Sequence, residues 1–96
     1  MMILITYDVD TTDKKGAKRL RQVAKSCVNH GKRVQNSVFE CVLNEAQFTA
    51  LVHQLDLIID KEKDNIRFYN LGKSWNRKVT TLGVNTSFDI TDDLIV

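Results

Sequence analysis

Met1-Met2-Ile3-Leu4-Ile5-Thr6-Tyr7-Asp8-Val9-Asp10 is the stretch on which the fold turns. An apolar run begins almost at the first residue and stops at a carboxylate, with a second carboxylate two places on. A continuous apolar run of this length predicts a strand buried on both faces, hence a central one. Asp8 then stands where a buried strand leaves the core. Aspartate is disfavoured within strands and costly to bury unpaired. Either a donor, a cation or another chain meets it there, or it is an ordinary turn or capping residue.

The strand is predicted over residues 2–8, and Thr11, Thr12 and Asp13 are each fit to cap the helix that follows. That helix is expected over residues 14–29, with Ala17, Leu20, Ala24, Cys27 and Val28 at helical spacing. His30-Gly31 ends it, as a histidine near a helix C-terminus and a C′ glycine commonly do. Residues 33–43 are β-rich, but their alternation slips: Val34 is apolar in one register, and Phe39, Cys41 and Leu43 in the other. Such a slip swaps faces, so a bulge or a tight hairpin turn is expected near Asn36-Ser37. Asn44 and Gln47 form a capping-box pair for a second helix running to about Asp60, with Phe48, Leu51, Val52, Leu55 and Ile59 as its buried stripe. A charged turn, 61–65, precedes a strand over 66–71. A loop follows at 72–76, then a short strand over 79–82 and a tail whose last three residues are apolar.

The order β-α-β-β-α-β is the split-βαβ, ferredoxin-like pattern of an α+β domain. The chain of 96 residues is sized for one domain, residues 1–96, without repeats, prolines or low-complexity segments. In this topology the helices cover one sheet face, and a second copy of the chain is the simplest cover for the other. No apolar run nears the ~18 residues of a membrane span. No secretory leader is recognisable, and two cysteines make no disulfide framework. The expectation is a cytoplasmic protein without a membrane partner.

Net charge is +2, but it is unevenly placed. From Lys14 to Arg33 there are eight basic residues and no acid, whereas positions 34–96 hold six basic and nine acidic residues. A face kept merely soluble usually mixes signs, so a helix this basic suits a polyanion, nucleic acid first. Trp75, among Lys73, Arg77 and Lys78, is placed either to stack on a base or to pack against the tail.

Mg²⁺ and Mn²⁺ prefer hard oxygen ligands and keep several waters. One aspartate is a poor site. Two copies of Asp8 across a two-fold axis, with phosphate oxygens and water, make a better one, at which an activated water would attack a phosphodiester. Asp10 is a candidate second acid or a solvated turn residue. The chain offers no Gly-rich phosphate loop, Ser-His-Asp arrangement or HExxH.

Tyr7-Asp8-Val9 at a strand end, the basic helix, Arg33-Val34-Gln35-Asn36-Ser37-Val38-Phe39-Glu40, and Tyr69-Asn70-Leu71-Gly72 together resemble the CRISPR-associated protein-two family. The match spans nearly the whole chain in order. The tail ending Asp93-Leu94-Ile95-Val96 looks most like members found with type I-C systems. The resemblance implies a ferredoxin-like homodimer whose C-terminal segment, residues 84–96 here, is exchanged between protomers. It implies Asp8 of both protomers as Mg²⁺ or Mn²⁺ ligands, with Tyr7 beside it in the catalytic set. Arg33, which continues the basic patch beyond the helix as a further nucleic-acid contact, and Ser37 and Phe39, as supporting residues, match further functional positions of the family. In the basic helix Arg19 matches a family arginine, and Lys14, Lys18 and Arg21 are neighbouring cations for nucleic acid. The implied partner is the CRISPR adaptation integrase, with which the dimer holds duplex DNA during spacer acquisition. Members are credited with cutting double-stranded DNA, with cutting single-stranded RNA, or with serving acquisition as a non-catalytic DNA-binding scaffold.

Overall fold

The computed structural model describes residues 1–83. Strand β1 (Met2–Asp8) leads into helix α1 (Lys14–Val28); β2 (Gly31–Gln35) and β3 (Val38–Val42) form a hairpin; helix α2 (Glu45–Ile58) and strand β4 (Asn65–Gly72) follow. One 3-10 turn, Trp75–Arg77, lies beyond them. The sheet order is β2-β3-β1-β4, and every pairing is antiparallel. This is the βαββαβ architecture expected of the sequence, with β1 and β3 central.

Local signals set the boundaries. The Asp13 carboxylate accepts from the Gly16 amide at 2.7 Å and starts α1. Asn44 and Gln47 close a reciprocal capping box on α2, with bonds of 2.8 and 2.9 Å. At the end of α1 the His30 ring lies 2.9 Å from the Ser26 carbonyl, where its Nδ1–H donates. The register slip resolves into two features: a two-residue turn at Asn36-Ser37, and an irregularity between Arg33 and Gln35 in the pairing with β3.

The core lies between the sheet and the two helices. Ile3, Ile5, Tyr7 and Val9 meet Phe39, Cys41 and Leu43 of the β3 segment, Val23 and Cys27 of α1, and Leu51 and Leu55 of α2. Burying side chains of this size stabilises the fold by ~1.5–3 kcal/mol each. Both thiols are buried, and burial pushes Cys27 up to about 12 and Cys41 to about 11.

Two expectations change. β1 is central, but within one chain it is buried on one face only. Leu4 and Thr6 are half-buried and Asp8 is exposed on the other face, because both helices pack on the opposite side. The short strand expected at 79–82 is absent, since no neighbouring strand among the described residues pairs with that stretch. The expected exchange of residues 84–96 lies outside the described residues.

Candidate active site at the end of β1

Asp8 is the last residue of β1 and stands opposite Asn65, the first residue of β4. Its side chain belongs to the face the helices leave uncovered. On that face Leu4 and Thr6 precede it in β1, Val38, Glu40 and Val42 line β3, and Arg67 and Tyr69 line β4. The face is partly apolar: Val42 is 58% exposed and Tyr69 42%. Among the described residues no side chain pairs with the Asp8 carboxylate, nor do three or more His, Cys, Asp or Glu side chains gather as a metal site. Asp8 is thus a solvent-accessible carboxylate outside any such cluster, and a cation needs more ligands than it alone gives.

Tyr7 points the other way, as successive strand residues must. It is buried, and its hydroxyl donates to the Asn36 carbonyl at 3.0 Å. Its amide donates to the Ser37 carbonyl at 3.1 Å. Its ring stacks on Phe39 with centroids 6.0 Å apart, and the Arg33 guanidinium lies 5.1 Å from the Phe39 centroid on the same core-facing side. Burial raises the Tyr7 phenol above its ordinary value, against the pull of Arg33. Tyr7, Arg33, Ser37 and Phe39, which the sequence sets beside Asp8 in function, are therefore assembled into one unit that fastens the β2–β3 turn to β1. The Tyr7 hydroxyl and the Asp8 carboxylate are not brought together.

The cations of α1 divide in the same way. Lys14, Lys18, Arg21 and Lys25 are exposed at spacings that share a helix face, and none is in an ion pair among the described residues. Arg19 is turned inward. Its Nε donates to Asp64 at 2.8 Å, and its Nη2 reaches Asp64 at 3.3 Å and the Asp10 carbonyl at 3.4 Å. Asp64 is a buried acid within the stretch expected as a charged turn; its one signal in the sequence is its place immediately before the strand that pairs with the Asp8 end of β1. Burial alone would raise its carboxyl, but Arg19 and the amides of Asp60 and Asp10 outweigh this and hold it below the usual range. Asp10 is a turn residue: its carboxylate accepts from the Thr12 amide at 2.9 Å, which lowers its pKa. Trp75 is half-buried, with exposed Arg77 and Lys78 beside it.

The arrangement offers a lone strand-end carboxylate, an uncovered sheet face and a separate basic helix. Comparison with known proteins gives these a common frame. Residues 1–79 match the family model described as CRISPR associated protein Cas2. The "CRISPR-associated endonuclease Cas2" of Halalkalibacterium halodurans is 52% identical over 95 residues, covering 99% of each chain. The "CRISPR-associated endoribonuclease Cas2" of Nitratidesulfovibrio vulgaris is 48% identical over 96 residues, covering 100% of this chain and 94% of the other. The crystal structure of Streptococcus pyogenes Cas2 superposes with a TM-score of 0.76 at 59% identity, over 86% of this chain and 100% of that one. No helix among the described residues is long and apolar enough to cross a membrane. Sequence, fold and relatives agree, and the chain belongs to the Cas2 family of CRISPR-associated proteins.

Proposed function

We propose that this protein is a Mg²⁺- or Mn²⁺-dependent endonuclease subunit that acts as a homodimer in spacer acquisition, beside the CRISPR adaptation integrase, and that it belongs with the type I-C members. The observation that carries the reading is the exposed Asp8 carboxylate at the end of a central strand, on a sheet face no helix covers. A second copy docked on that face, joined by exchange of residues 84–96, buries Val42 and Tyr69 and brings a second Asp8 to the first. Asp8 alone does not fit a resident cation; two facing carboxylates do. When bound, the cation supplies Lewis-acid and water-activating chemistry.

The chain's own residues do the rest. Asp8 of each protomer would hold the cation, and the carboxylates are its only protein ligands in this reading. Tyr7 positions the strand end by its bond to Asn36, and Arg33, Ser37 and Phe39 support that hairpin. Lys14, Lys18 and Arg21 hold the backbone of double-stranded DNA or single-stranded RNA through charge, which carries no sequence preference. The test is cleavage of both substrates by the wild type and by Asp8→Ala, with Mg²⁺, Mn²⁺ or EDTA. Cleavage that survives EDTA, or is equal in both proteins, sinks the reading of a metal-dependent enzyme acting through Asp8.

One observation favours a second reading. Among the described residues of one chain, no three His, Cys, Asp or Glu side chains gather around a cation position. A non-catalytic, dimeric DNA-binding scaffold needs nothing more than the basic helices. Spacer acquisition that persists with Asp8→Ala would favour it.

A further inference from the structure

Five residues separate Asp8 from the start of α1. What holds them is not local. Asp64, with a side chain 0% exposed, accepts from the Asp10 amide at 3.0 Å, the Asp60 amide at 2.9 Å, and Arg19 at 2.8 and 3.3 Å. Arg19 also reaches the Asp10 carbonyl at 3.4 Å. Both backbone groups of the residue two places after Asp8 are thus captured by this pair. Gly16 adds a close approach: a Cβ there would collide with the same Asp10 carbonyl. On the other side Asn65, the neighbour of Asp64, is the register partner of Asp8. The buried pair therefore clamps the strand end from the loop and from β4 at once.

We propose that Arg19 and Asp64 are positioning residues for the Asp8 carboxylate, and that Arg19 is not among the nucleic-acid contacts of α1. The proposal rests on the nuclease reading for its catalytic consequence only. A planar guanidinium meeting both oxygens of one carboxylate fixes direction as well as distance, which a lysine cannot do. All the groups facing Asp64 in this network are donors, so an amide in its place turns an NH₂ toward one of them. Arg19 follows Lys18 in α1 and so projects about 100° round the helix from it, off the face that carries Lys14, Lys18 and Arg21.

The test compares Arg19→Gln, Arg19→Lys, Asp64→Asn and Lys18→Gln in the full chain. Hydrogen exchange at the Asp10 and Asp60 amides, kcat and KM for cleavage, and the salt dependence of duplex DNA binding are measured. The proposal expects faster exchange at both amides in the Arg19 and Asp64 variants. It expects kcat to fall about 10- to 100-fold with KM unchanged. Arg19→Gln keeps the wild-type salt slope, whereas Lys18→Gln lowers it and leaves exchange untouched. If Arg19→Gln lowers the slope as Lys18→Gln does, or if exchange is unchanged in Arg19→Lys, the proposal is overturned. Should Asp64→Asn fail to fold, Arg19→Lys carries the exchange test. Exchange and salt slope do not depend on cleavage, so an active Asp8→Ala protein would defeat the nuclease reading and leave these two results standing or falling by themselves.

Discussion

The hydroxyl of Tyr7 donates to the carbonyl of Asn36 at 3.0 Å, across 29 positions of sequence, on the face opposite Asp8. A tyrosine so engaged is a fastener of the hairpin. Tyr7→Phe removes the donor of this partly buried bond, at about 1 kcal/mol of stability. Denaturant unfolding should show that loss, while cleavage stays within a few-fold of wild type. A loss of cleavage comparable with that of Asp8→Ala would give the hydroxyl a direct part in the chemistry.

The uncovered sheet face makes a prediction about assembly. Val42 and Tyr69 are exposed within one chain, so polar replacements there spare the monomer fold. Val42→Glu with Tyr69→Glu should shift sedimentation from a dimer toward a species of 11.0 kDa, with the far-ultraviolet spectrum unchanged. A dimer that tolerates both charges would place the interface elsewhere.

Charge on α1 should be read through salt. Reversing Lys18 and Arg21 to glutamate should weaken duplex binding at every sequence and lower the salt slope by ~0.9 for each phosphate no longer neutralised. An unchanged slope means that nucleic acid lies on another surface.

The buried thiols set an alkaline limit. Cys27 and Cys41 have an ordinary value of 9.0 and are raised to about 12 and about 11 in the fold. Between pH 9 and 11 the unfolded chain ionises while the folded chain stays protonated, so the unfolded state holds fewer protons and stability falls as pH rises. At pH 10 the loss is about 1.4 kcal/mol per thiol, an order-of-magnitude figure. Melting scans at pH 8 and pH 10 should show this drop in the wild type and a much smaller one in a Cys27→Ala, Cys41→Ala protein. Equal drops would assign the alkaline limit to other groups.

What the sequence makes legible here is what local chemistry dictates. The capping box of Asn44 and Gln47 and the central place of β1 follow from residues within a few positions of one another, whereas Gly31, expected as the C′ residue of α1, is instead the first residue of β2, and the C-cap is Asn29. The slip between Val34 and Phe39 announces a break, but only the pairing with β3 separates turn from bulge. Residues 79–82 carry strand composition, yet a strand exists only where another offers hydrogen bonds, and composition is blind to that. The Asp8 strand end is visible from its own run of residues. The partner of Arg19 is not: Asp64 lies 45 positions away in a stretch of mixed charge that reads as solvated. Burial, which decides its role, is a property of the assembled fold.

The central claim is that Asp8 is half of a shared site. Mn²⁺ titration of the dimer, followed by electron paramagnetic resonance, tests it most directly. The account predicts one weakly bound ion for every two chains, lost in Asp8→Ala, with the dimer intact. One ion per chain, or binding that survives Asp8→Ala, would contradict it.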